Sequence, residues 1–295
     1  MNRSAPPRLA VGVVGTGRAG AVIGAALARA GHHVVAAAAV SEASIARAAA
    51  LLPNAELLDP AEVVLRADLA VLAVPDDALA DLVAGLAETD AIRPGAFVMH
   101  LAGRYGVDVL EPATRAGALP LAIHPAMTFT GTSLDLDRIT GAPFAVTTTD
   151  DLRPVAEALV VEMGGEPWWV PESARLLYHA ALAGSANHLM ALVAQTVELL
   201  ADAGIEDPSR LIAPLLNASL DNALRLGDAA LTGPVARGDA ATVAAHLDVL
   251  AATPIARRTY VALARLTADR ALQAGLLSAR SAEPLLAVLG DGSGR

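Results

Sequence analysis

Two histidines and an asparagine lie close together in one segment of the sequence, RLLYHAALAGSANHLM at 175–190. The pattern predicts a helix in which His179 and Asn187 share an alanine-lined face, roughly 80° apart, while His188 lies roughly 180° from His179. Imidazole can exchange a proton near neutral pH, and an amide can orient a substrate oxygen. We therefore interpret His179 and Asn187 as catalytic candidates and place His188 in a core or a dimer face. The pattern leaves Tyr178 between the core and the site.

The ends of two predicted strands carry the other histidines that could do chemistry. His100 ends one strand, and His124 ends a later strand within the segment HPAMTF. Open α/β sheets bind ligands beyond the carboxyl ends of their strands, although a histidine there can instead be a structural residue. We expect His124 to be the alternative proton donor, and His100 and Thr128 to contact the substrate.

The sequence lacks lysine and cysteine, and this restricts the chemistry. All 21 basic residues are arginine. An ammonium general acid, a thiolate nucleophile and a zinc–sulfur site are therefore excluded. Histidine remains the side chain that titrates near neutral pH, so we expect a histidine to be the proton donor and expect no bound metal.

A glycine-rich segment near the N-terminus predicts a nucleotide-binding turn. VVGTGRAG places three glycines between a predicted strand and a predicted helix. In this context glycines permit a tight turn, the approach of a pyrophosphate and close packing of the helix, whose N-terminus faces the phosphates. Arg18 is a candidate phosphate contact or, alternatively, an exposed surface residue. The residues expected to bind the nucleotide in this turn are Gly15, Thr16, Gly17, Arg18, Ala19 and Gly20.

The second predicted strand ends in VSEASIAR, which favours NADP over NAD. Sites for NAD carry an acidic residue at this strand end for the ribose hydroxyls. Ser41 stands near that position, and Glu42, which follows it, could still serve the ribose. We expect Ser41 and Arg47 to contact a 2′-phosphate, with NAD as the less favoured cofactor. Val74 and Pro75, at the end of a later strand, are expected to line the path of the nucleotide.

Alternating strands and helices must position these residues. Near-continuous apolar runs predict strands at 9–14, 33–39, 69–74, 96–100, 119–124, 144–148 and 167–170. Helical patterns lie between them at 19–30, 41–51, 76–88 and 150–162. From residue 172 only helices are predicted, at 172–203, 208–226, 239–252, 256–278 and 282–289. The fold class is therefore α/β: an N-terminal Rossmann-type, mostly parallel sheet over residues 1–170, followed by an all-α C-terminal domain over residues 171–295.

The overall composition restricts the partners of the protein. The chain of 295 residues carries a formal net charge of −10, so we expect no nucleic-acid partner. No stretch approaches the ~18 consecutive apolar residues of a membrane span, and the apolar run near the N-terminus is too short for a signal peptide. The absence of cysteine agrees with a reducing cytoplasm. We expect a cytoplasmic protein without membrane association that forms a homodimer through its helical domain.

Several segments together resemble known proteins. GTGRAG, VLAVPDDAL and HPAMTFTG, followed by an all-helical domain, resemble the 6-phosphogluconate dehydrogenase-like superfamily. Its members include ketopantoate reductases, pyrroline-carboxylate reductases and prephenate dehydrogenases. More closely, HLAG, HPAMTFTG, YHAALAGSANH and ALTGPVARGDA resemble a bacterial group of Rossmann-like oxidoreductases whose C-terminal helical domain has no assigned function. The resemblance covers nearly the whole chain and implies a nicotinamide-dependent oxidoreductase.

The resemblance also implies roles for residues of the second half. Ketopantoate reductases carry a lysine on the first long helix of the second domain and an asparagine one turn later. Asn187 matches the asparagine, but Ala183 stands at the lysine position. ALTGPVARGDA resembles the loop with which pyrroline-carboxylate reductases hold a substrate carboxylate, which implies substrate binding by Thr232 and Arg237. The alternative is a helix that starts at a cap formed by Asp239, with an exposed arginine.

Residues and resemblance together predict an oxidoreductase that transfers hydride between NADPH and a small, anionic, carboxylate-bearing carbonyl compound. His179 or His124 would supply the proton, and Asn187 would orient the oxygen. A reaction like that of ketopantoate reductase is the first interpretation. Two alternatives stay open: reduction of an imine, as in pyrroline-carboxylate reductase, because an iminium arrives already protonated, and a non-catalytic nucleotide-binding sensor.

Overall fold

The computed structural model describes residues 8–290. Its described residues divide into two compact units, one ending at Ala186 and the other beginning at Asn187. This division falls within one long helix. The predicted boundary, between residues 170 and 171, lies shortly before that helix begins.

Eight strands form the sheet of the first unit: β1 (Ala10–Val14), β2 (His33–Ala38), β3 (Glu56–Leu57), β4 (Leu69–Leu72), β5 (Phe97–His100), β6 (Leu119–Pro125), β7 (Pro143–Thr147) and β8 (Glu166–Trp169). Their order is β3-β2-β1-β4-β5-β6-β7-β8. All neighbouring strands are parallel except β6 and β7. The predicted mostly parallel sheet is confirmed. Strand β3 was not predicted because two exposed residues carry no recognisable alternation.

Seven helices accompany the strands in the first unit: α1 (Arg18–Arg29), α2 (Glu42–Leu51), α3 (Pro60–Leu65), α4 (Leu79–Glu88), α5 (Glu111–Arg115), α6 (Leu134–Arg138) and α7 (Arg153–Glu162). Successive residues of the central strands enter two different buried clusters: Val71 belongs to one, and Ala70 and Leu72 belong to the other. Because side chains alternate across a strand, both faces of the sheet are covered. This double burial explains the continuous apolar runs in the sequence.

Helix α8 (Arg175–Asp202) begins in the first unit and continues into the second. The rest of the second unit consists of α9 (Pro208–Leu226), α10 (Gly233–Ala236), α11 (Ala240–Val249), α12 (Pro254–Gln273) and α13 (Ala279–Gly290), without a strand among its described residues. Helices α10 to α13 share one core. None of the residues of α9, all of them described, is buried. The predicted all-α C-terminal domain is confirmed.

One segment, residues 172–202, is long and apolar enough to cross a membrane by length and composition, because an 18-residue window within it has a mean hydropathy of 1.2. Polar residues interrupt this segment, so it contains no long run of consecutive apolar residues. Its leucines and alanines nevertheless keep the mean hydropathy high. Helices of soluble proteins can satisfy the same criterion. The first residue of α8, Arg175, donates hydrogen bonds to carbonyls of β6 and β7, so the start of this helix packs on protein.

Candidate active site

The turn between β1 and α1 has the geometry of a nucleotide-binding turn. Gly15 has a φ of +94°, and a Cβ there would lie 2.6 Å from the carbonyl oxygen of Ala73. A Cβ on Gly20 would overlap the carbonyl oxygen of Gly15. Around the Cβ position of Gly17, by contrast, no described heavy atom lies within 4 Å, and no side chain of the described residues caps α1. The turn therefore presents free amides and open space, which fit a pyrophosphate.

Thr16 and Ser41 both support helix α2. The side chain of Thr16 is fully buried, and its hydroxyl donates to the carbonyl of Ser44 at 3.0 Å. Ser41 caps α2 by accepting a hydrogen bond from the amide of Ser44. Thr16 therefore supports α2, and its predicted contact with a nucleotide stays a prediction. The exposed Ser41 stays a candidate contact next to the end of β2.

Two arginines approach each other beside Gly131. The Cβ position of this glycine, whose φ is +81°, lies 3.0 Å from Cδ of Arg47 and 3.1 Å from Cγ of Arg18. Arg47 also donates to the carbonyl of Thr16 at 3.3 Å. Within residues 8–290, neither guanidinium forms an ion pair with a carboxylate. Two arginine side chains that share one glycine and have no acidic partner are suited to bind a phosphate.

The other predicted nucleotide contacts lie along the same edge of the sheet. Ala19 lies in the first turn of α1. Val74 and Pro75 follow β4, which pairs with β1, and there Val74 is half-buried and Pro75 exposed. Because the carboxyl ends of parallel neighbours meet at one edge, these residues lie next to the glycine turn. Their role in binding stays a prediction.

His124, near the end of β6, forms a hydrogen bond with Tyr178. Nδ1 of His124 lies 2.8 Å from the hydroxyl oxygen of Tyr178, and the two rings meet edge to face with centroids 5.6 Å apart. The ring centroid of His179 lies 6.1 Å from that of His124. Tyr178 and His179 are consecutive residues at the start of α8. The structure thus brings the predicted His124 and His179 together and adds a phenol to them.

Gly103, in the loop after β5, approaches both imidazole rings. A Cβ there would lie 2.6 Å from Cδ2 of His179 and 3.0 Å from Nε2 of His124. This Nε2 has no hydrogen-bond partner among the described residues. Glu172 holds the loop by accepting a hydrogen bond from the amide of Val107 at 2.7 Å. The absence of a side chain at Gly103 therefore lets the loop pack against both rings, and Nε2 of His124 has no partner among the described residues.

Arg175 is a buried cation close to this group, with only 1% of its surface exposed. Its Nε donates to the hydroxyl of Thr147 at 2.7 Å, and Nη2 donates to the carbonyls of Ala122 and Ala145 at 2.8 and 3.1 Å. Its Nη1 is buried without a hydrogen-bond partner among the described residues. The guanidinium carbon lies 6.0 Å from the ring centroid of Tyr178.

Burial and this cation set the charges of the group. Burial lowers the pKa of His124 to about 4, and the charges of Arg175, His179 and His100 act in the same direction. Burial raises the pKa of Tyr178, whereas Arg175 lowers it. Burial also lowers the pKa of Arg175, to about 10. At neutral pH the site therefore contains a neutral His124, a neutral phenol and a guanidinium cation.

The strand-end position of His100 predicts contact with the substrate, but within the described chain its side chain is buried and both ring nitrogens have partners. His100 is 0% exposed; its Nδ1 accepts from the amide of Ala102 at 3.1 Å and its Nε2 donates to the carbonyl of Gly106 at 2.7 Å. Burial lowers its pKa to about 4. The loop after β5 folds back over the ring and uses both ring nitrogens, so His100 fixes the shape of that loop instead.

The four other predicted site residues are exposed. Thr128 is exposed in the segment after β6, and Asn187 is exposed on α8. Thr232 and Arg237 are exposed in the second unit, where Asp239 caps α11 as in the alternative interpretation of this segment. The roles of these four residues stay predictions. Among residues 8–290, no group of three or more His, Cys, Asp or Glu could hold a metal ion.

Sequence reasoning missed Arg175, Gly103 and Glu172 and left Tyr178 undecided. An arginine in the first turn of an apolar helix looks like a surface residue, and nothing in the local pattern distinguishes a buried one. Tyr178 follows an apolar stripe of α8, but at the start of this helix the neighbouring element is the end of β6. The adjacency of Tyr178 and His179 in the sequence was the one signal that could have joined the phenol to the site.

Comparisons of the sequence with protein families identify two domains. Residues 2–125 match the family described as a Rossmann-like domain, and residues 142–267 match a domain of unknown function, DUF2520. The two matches confirm the arrangement that the resemblance implies. No curated protein sequence matches the chain.

Comparisons with solved structures show a shared fold over most of the chain. A "putative NADP oxidoreductase" from Bacteroides fragilis is 24% identical, with a TM-score of 0.75, covering 89% of this chain and 98% of its own. Protein TM1727 from Thermotoga maritima is 19% identical, with a TM-score of 0.65 and the same coverage. Pyrroline carboxylate reductase from Plasmodium falciparum with NADP bound is 11% identical, with a TM-score of 0.56, covering 89% of this chain and 97% of its own.

Proposed function

Because the chain combines a Rossmann-like domain with a DUF2520 domain, we propose that it is a nicotinamide-dependent oxidoreductase. It uses NADPH to reduce a small carboxylate-bearing carbonyl compound. The observation that carries this proposal is the placement of the open glycine turn and of His124 at the same edge of one sheet. Three strand spacings, roughly 14 Å, separate β1 from β6, a distance that an extended dinucleotide bridges. The names of the similar structures support an oxidoreductase that uses a pyridine nucleotide.

The amides at the start of α1 hold the pyrophosphate in this proposal. When bound, the nicotinamide supplies hydride. His124 offers its free Nε2 to the substrate oxygen, and His179 lies beside it. Asn187 orients that oxygen, and Arg237 binds the carboxylate of the substrate.

The preference for NADPH rests on Arg18 and Arg47. Their side chains approach each other at Gly131 and form no ion pair among the described residues, and Arg47 lies on α2, the helix that follows β2. The adenosine ribose of a dinucleotide binds at the end of β2. A 2′-phosphate there would supply the negative charge that these two cations lack, whereas NAD would leave both unpaired.

The substrate class is tested by measuring NADPH oxidation with a panel of 2-oxo acids that begins with ketopantoate. Turnover of an oxo acid, and its loss in His124→Gln, is the expected result. His246→Gln is the matched control, because His246 forms a similar bond to Tyr260 at 2.9 Å in the second unit. Tight NADPH binding without turnover of any carbonyl or imine would refute the proposal and favour a nucleotide-binding sensor.

Reduction of a cyclic imine is the second candidate, and the neutral His124 favours it. Because the pKa of His124 is about 4, almost no imidazolium is present at neutral pH to donate a proton. An iminium substrate needs no proton donor. The structures of similar fold also include pyrroline-carboxylate reductases. Cyclic imines therefore belong to the same panel. Turnover of imines alone, with little effect of His124→Gln, would favour this reaction.

We further propose a soluble, cytoplasmic homodimer that forms through the second unit. Helix α9 has no buried residue, and its Leu215 and Leu224 are 62% and 80% exposed. Helices α8 and α12 border a mostly apolar groove of about 580 Å³ that includes His188, Leu192 and Leu263. Exposed apolar surface on this scale is typical of an interaction site. A second copy of the chain would bury the exposed leucines of α9 and the groove between α8 and α12.

A further inference from the structure

The hydrogen bond between Tyr178 and His124 raises the question of where the proton for the substrate comes from. His124 is neutral at neutral pH, so in the proposed reduction Nε2 could give up its proton only if Nδ1 gained another. The hydrogen-bond partner of Nδ1 is the hydroxyl oxygen of Tyr178, 2.8 Å away. If this hydroxyl donates to Nδ1, the ring carries its own proton on Nε2, which lies beside Gly103 and has no hydrogen-bond partner among the described residues.

The following inference rests on the proposed function. We propose that Tyr178 is the proton source of the reduction and that His124 relays this proton to the substrate. Arg175 is then a positioning residue that stabilises the phenolate left on Tyr178. The substrate carbon gains hydride, and the substrate oxygen gains the proton that leaves Nε2 of His124. The proton of Tyr178 moves to Nδ1 in the same step. The imidazole is neutral before and after, and the phenolate later regains a proton from water.

The surroundings of Arg175 support this role. A buried cation without a carboxylate partner costs several kcal/mol, and an apolar side chain would hold the start of α8 at lower cost. Arg175 is 1% exposed, and the described residues leave its Nη1 without a hydrogen-bond partner. Its three hydrogen bonds to Thr147, Ala122 and Ala145 fix the guanidinium in place. A fixed, unpaired cation 6.0 Å from the ring of Tyr178 favours the phenolate.

Among the described residues, the charged and titratable groups that act on the pair lie on two elements, α8 and β5, and in the turn before α8. Arg175 favours the phenolate of Tyr178, and burial opposes it. Glu172, in the turn before α8, acts on Arg175 and favours its charged form. The groups that keep His124 neutral, besides burial, are Arg175 and His179 of α8 and His100 of β5.

The chain contains a matched control for this arrangement. In the second unit, Tyr260 and His246 form the same bond between hydroxyl and Nδ1, at 2.9 Å, with rings edge to face and centroids 5.6 Å apart. Burial raises the pKa of Tyr260, and no arginine among residues 8–290 acts on it. The two pairs thus differ in the presence of a buried cation.

The experiment titrates the tyrosines of the free protein by NMR with ring-labelled tyrosine. The chain has three tyrosines, so Tyr105→Phe leaves only Tyr178 and Tyr260 to follow. Arg175→Met should move the titration of Tyr178 to higher pH and leave that of Tyr260 unchanged, while Arg175→Lys, which keeps the charge, should move it less. An unchanged titration of Tyr178 in folded Arg175→Met would overturn the role of Arg175.

Turnover gives the second readout. Tyr178→Phe removes one hydroxyl and should lower turnover by about 10²- to 10⁴-fold, the usual effect of removing a general acid. Tyr260→Phe should retain wild-type turnover. Wild-type turnover in Tyr178→Phe would overturn the relay, and this test stands even if Arg175→Met does not fold. If the wild type turns over no substrate, the proposed function fails, while the titration still decides whether Arg175 acts on Tyr178.

Discussion

Alanine substitutions at two glycines of the same turn should affect two different properties. Gly20→Ala should lower the free energy of unfolding, whereas Gly17→Ala should weaken nucleotide binding. A methyl group on Gly20 would overlap the carbonyl oxygen of Gly15 and lie 2.6 Å from Cβ of Ala73. Such overpacking costs about 1–3 kcal/mol or more, because backbone atoms must move. A methyl group on Gly17 would meet no described atom within 4 Å, and the φ of −64° at this position suits alanine. Gly17→Ala should therefore change the free energy of unfolding by no more than about 0.5 kcal/mol.

Nucleotide affinity should show the reverse sensitivity. The open space at Gly17 is where the pyrophosphate must approach the amides of α1, so a methyl group there separates the phosphate from its donors. We expect Gly17→Ala to weaken NADPH binding at least ~10-fold, about 1.4 kcal/mol. Urea unfolding and a fluorescence titration with NADPH measure the two quantities on the same samples.

Gly85→Ala is the matched control for the chemistry of the substitution. Gly85 lies in α4, and no described heavy atom is within 4 Å of its Cβ position. Alanine should stabilise this helix by about 0.5–1 kcal/mol and leave NADPH affinity unchanged. Wild-type NADPH affinity in Gly17→Ala would show that the nucleotide does not bind over this turn. The reasoning about the turn would then be wrong, whatever the stability of Gly20→Ala.

Three further predictions concern cofactor choice, assembly and pH. Arg47→Ala should weaken NADPH binding at least ~10-fold and leave NADH binding nearly unchanged, and equal losses for both nucleotides in equilibrium titrations would contradict a 2′-phosphate site. Leu224→Glu should shift the protein from dimer to monomer in sedimentation velocity at micromolar concentration, while Leu57→Glu, at an exposed leucine of the first unit, should not. A wild-type monomer would refute the dimer. Because the pKa of folded His100, about 4, lies below its ordinary 6.5, the unfolded chain binds this proton first. The free energy of unfolding should thus fall by about 3 kcal/mol between pH 6.5 and 4. His100→Gln should remove this part of the pH dependence of the free energy of unfolding, measured by urea unfolding at each pH. An unchanged pH dependence would show that His100 is not held neutral.

The sequence predicts the fold well where one pattern extends over several residues. All seven predicted strands exist, and the helix predicted at 208–226 has the bounds of α9. The elements that were missed are short: β3 has two residues, and the helices α3, α5, α6 and α10 have four to six residues each. Such segments contain less than two periods of any pattern. Their conformation is fixed by tertiary contacts, which a local pattern does not contain.

The site was predicted only in part because burial is not a local property. Strand-end position placed His100 and His124 correctly at one edge of the sheet. It could not show that the loop after β5 covers His100 and leaves Nε2 of His124 free. Helix angles paired His179 with Asn187, but they compare residues of one helix and contain no information about which strand meets its first turn. Arg175 was missed for the same reason.

The distribution of costly groups within the first unit indicates where function constrains the sequence. In most of the sheet, buried side chains are apolar, and the exceptions are few. Arg175, His100 and Thr147 are three of these exceptions, and they lie on α8, β5 and β7, within reach of the same end of the sheet. Stability alone would favour apolar residues at such positions, since each buried polar group must recover its lost hydration. Arg175 recovers it incompletely, because Nη1 lacks a partner in the described chain. The buried guanidinium of Arg175 is therefore retained at a cost to stability, beside the hydrogen-bonded pair of Tyr178 and His124. The positive charge that it provides to this pair best explains why it is retained.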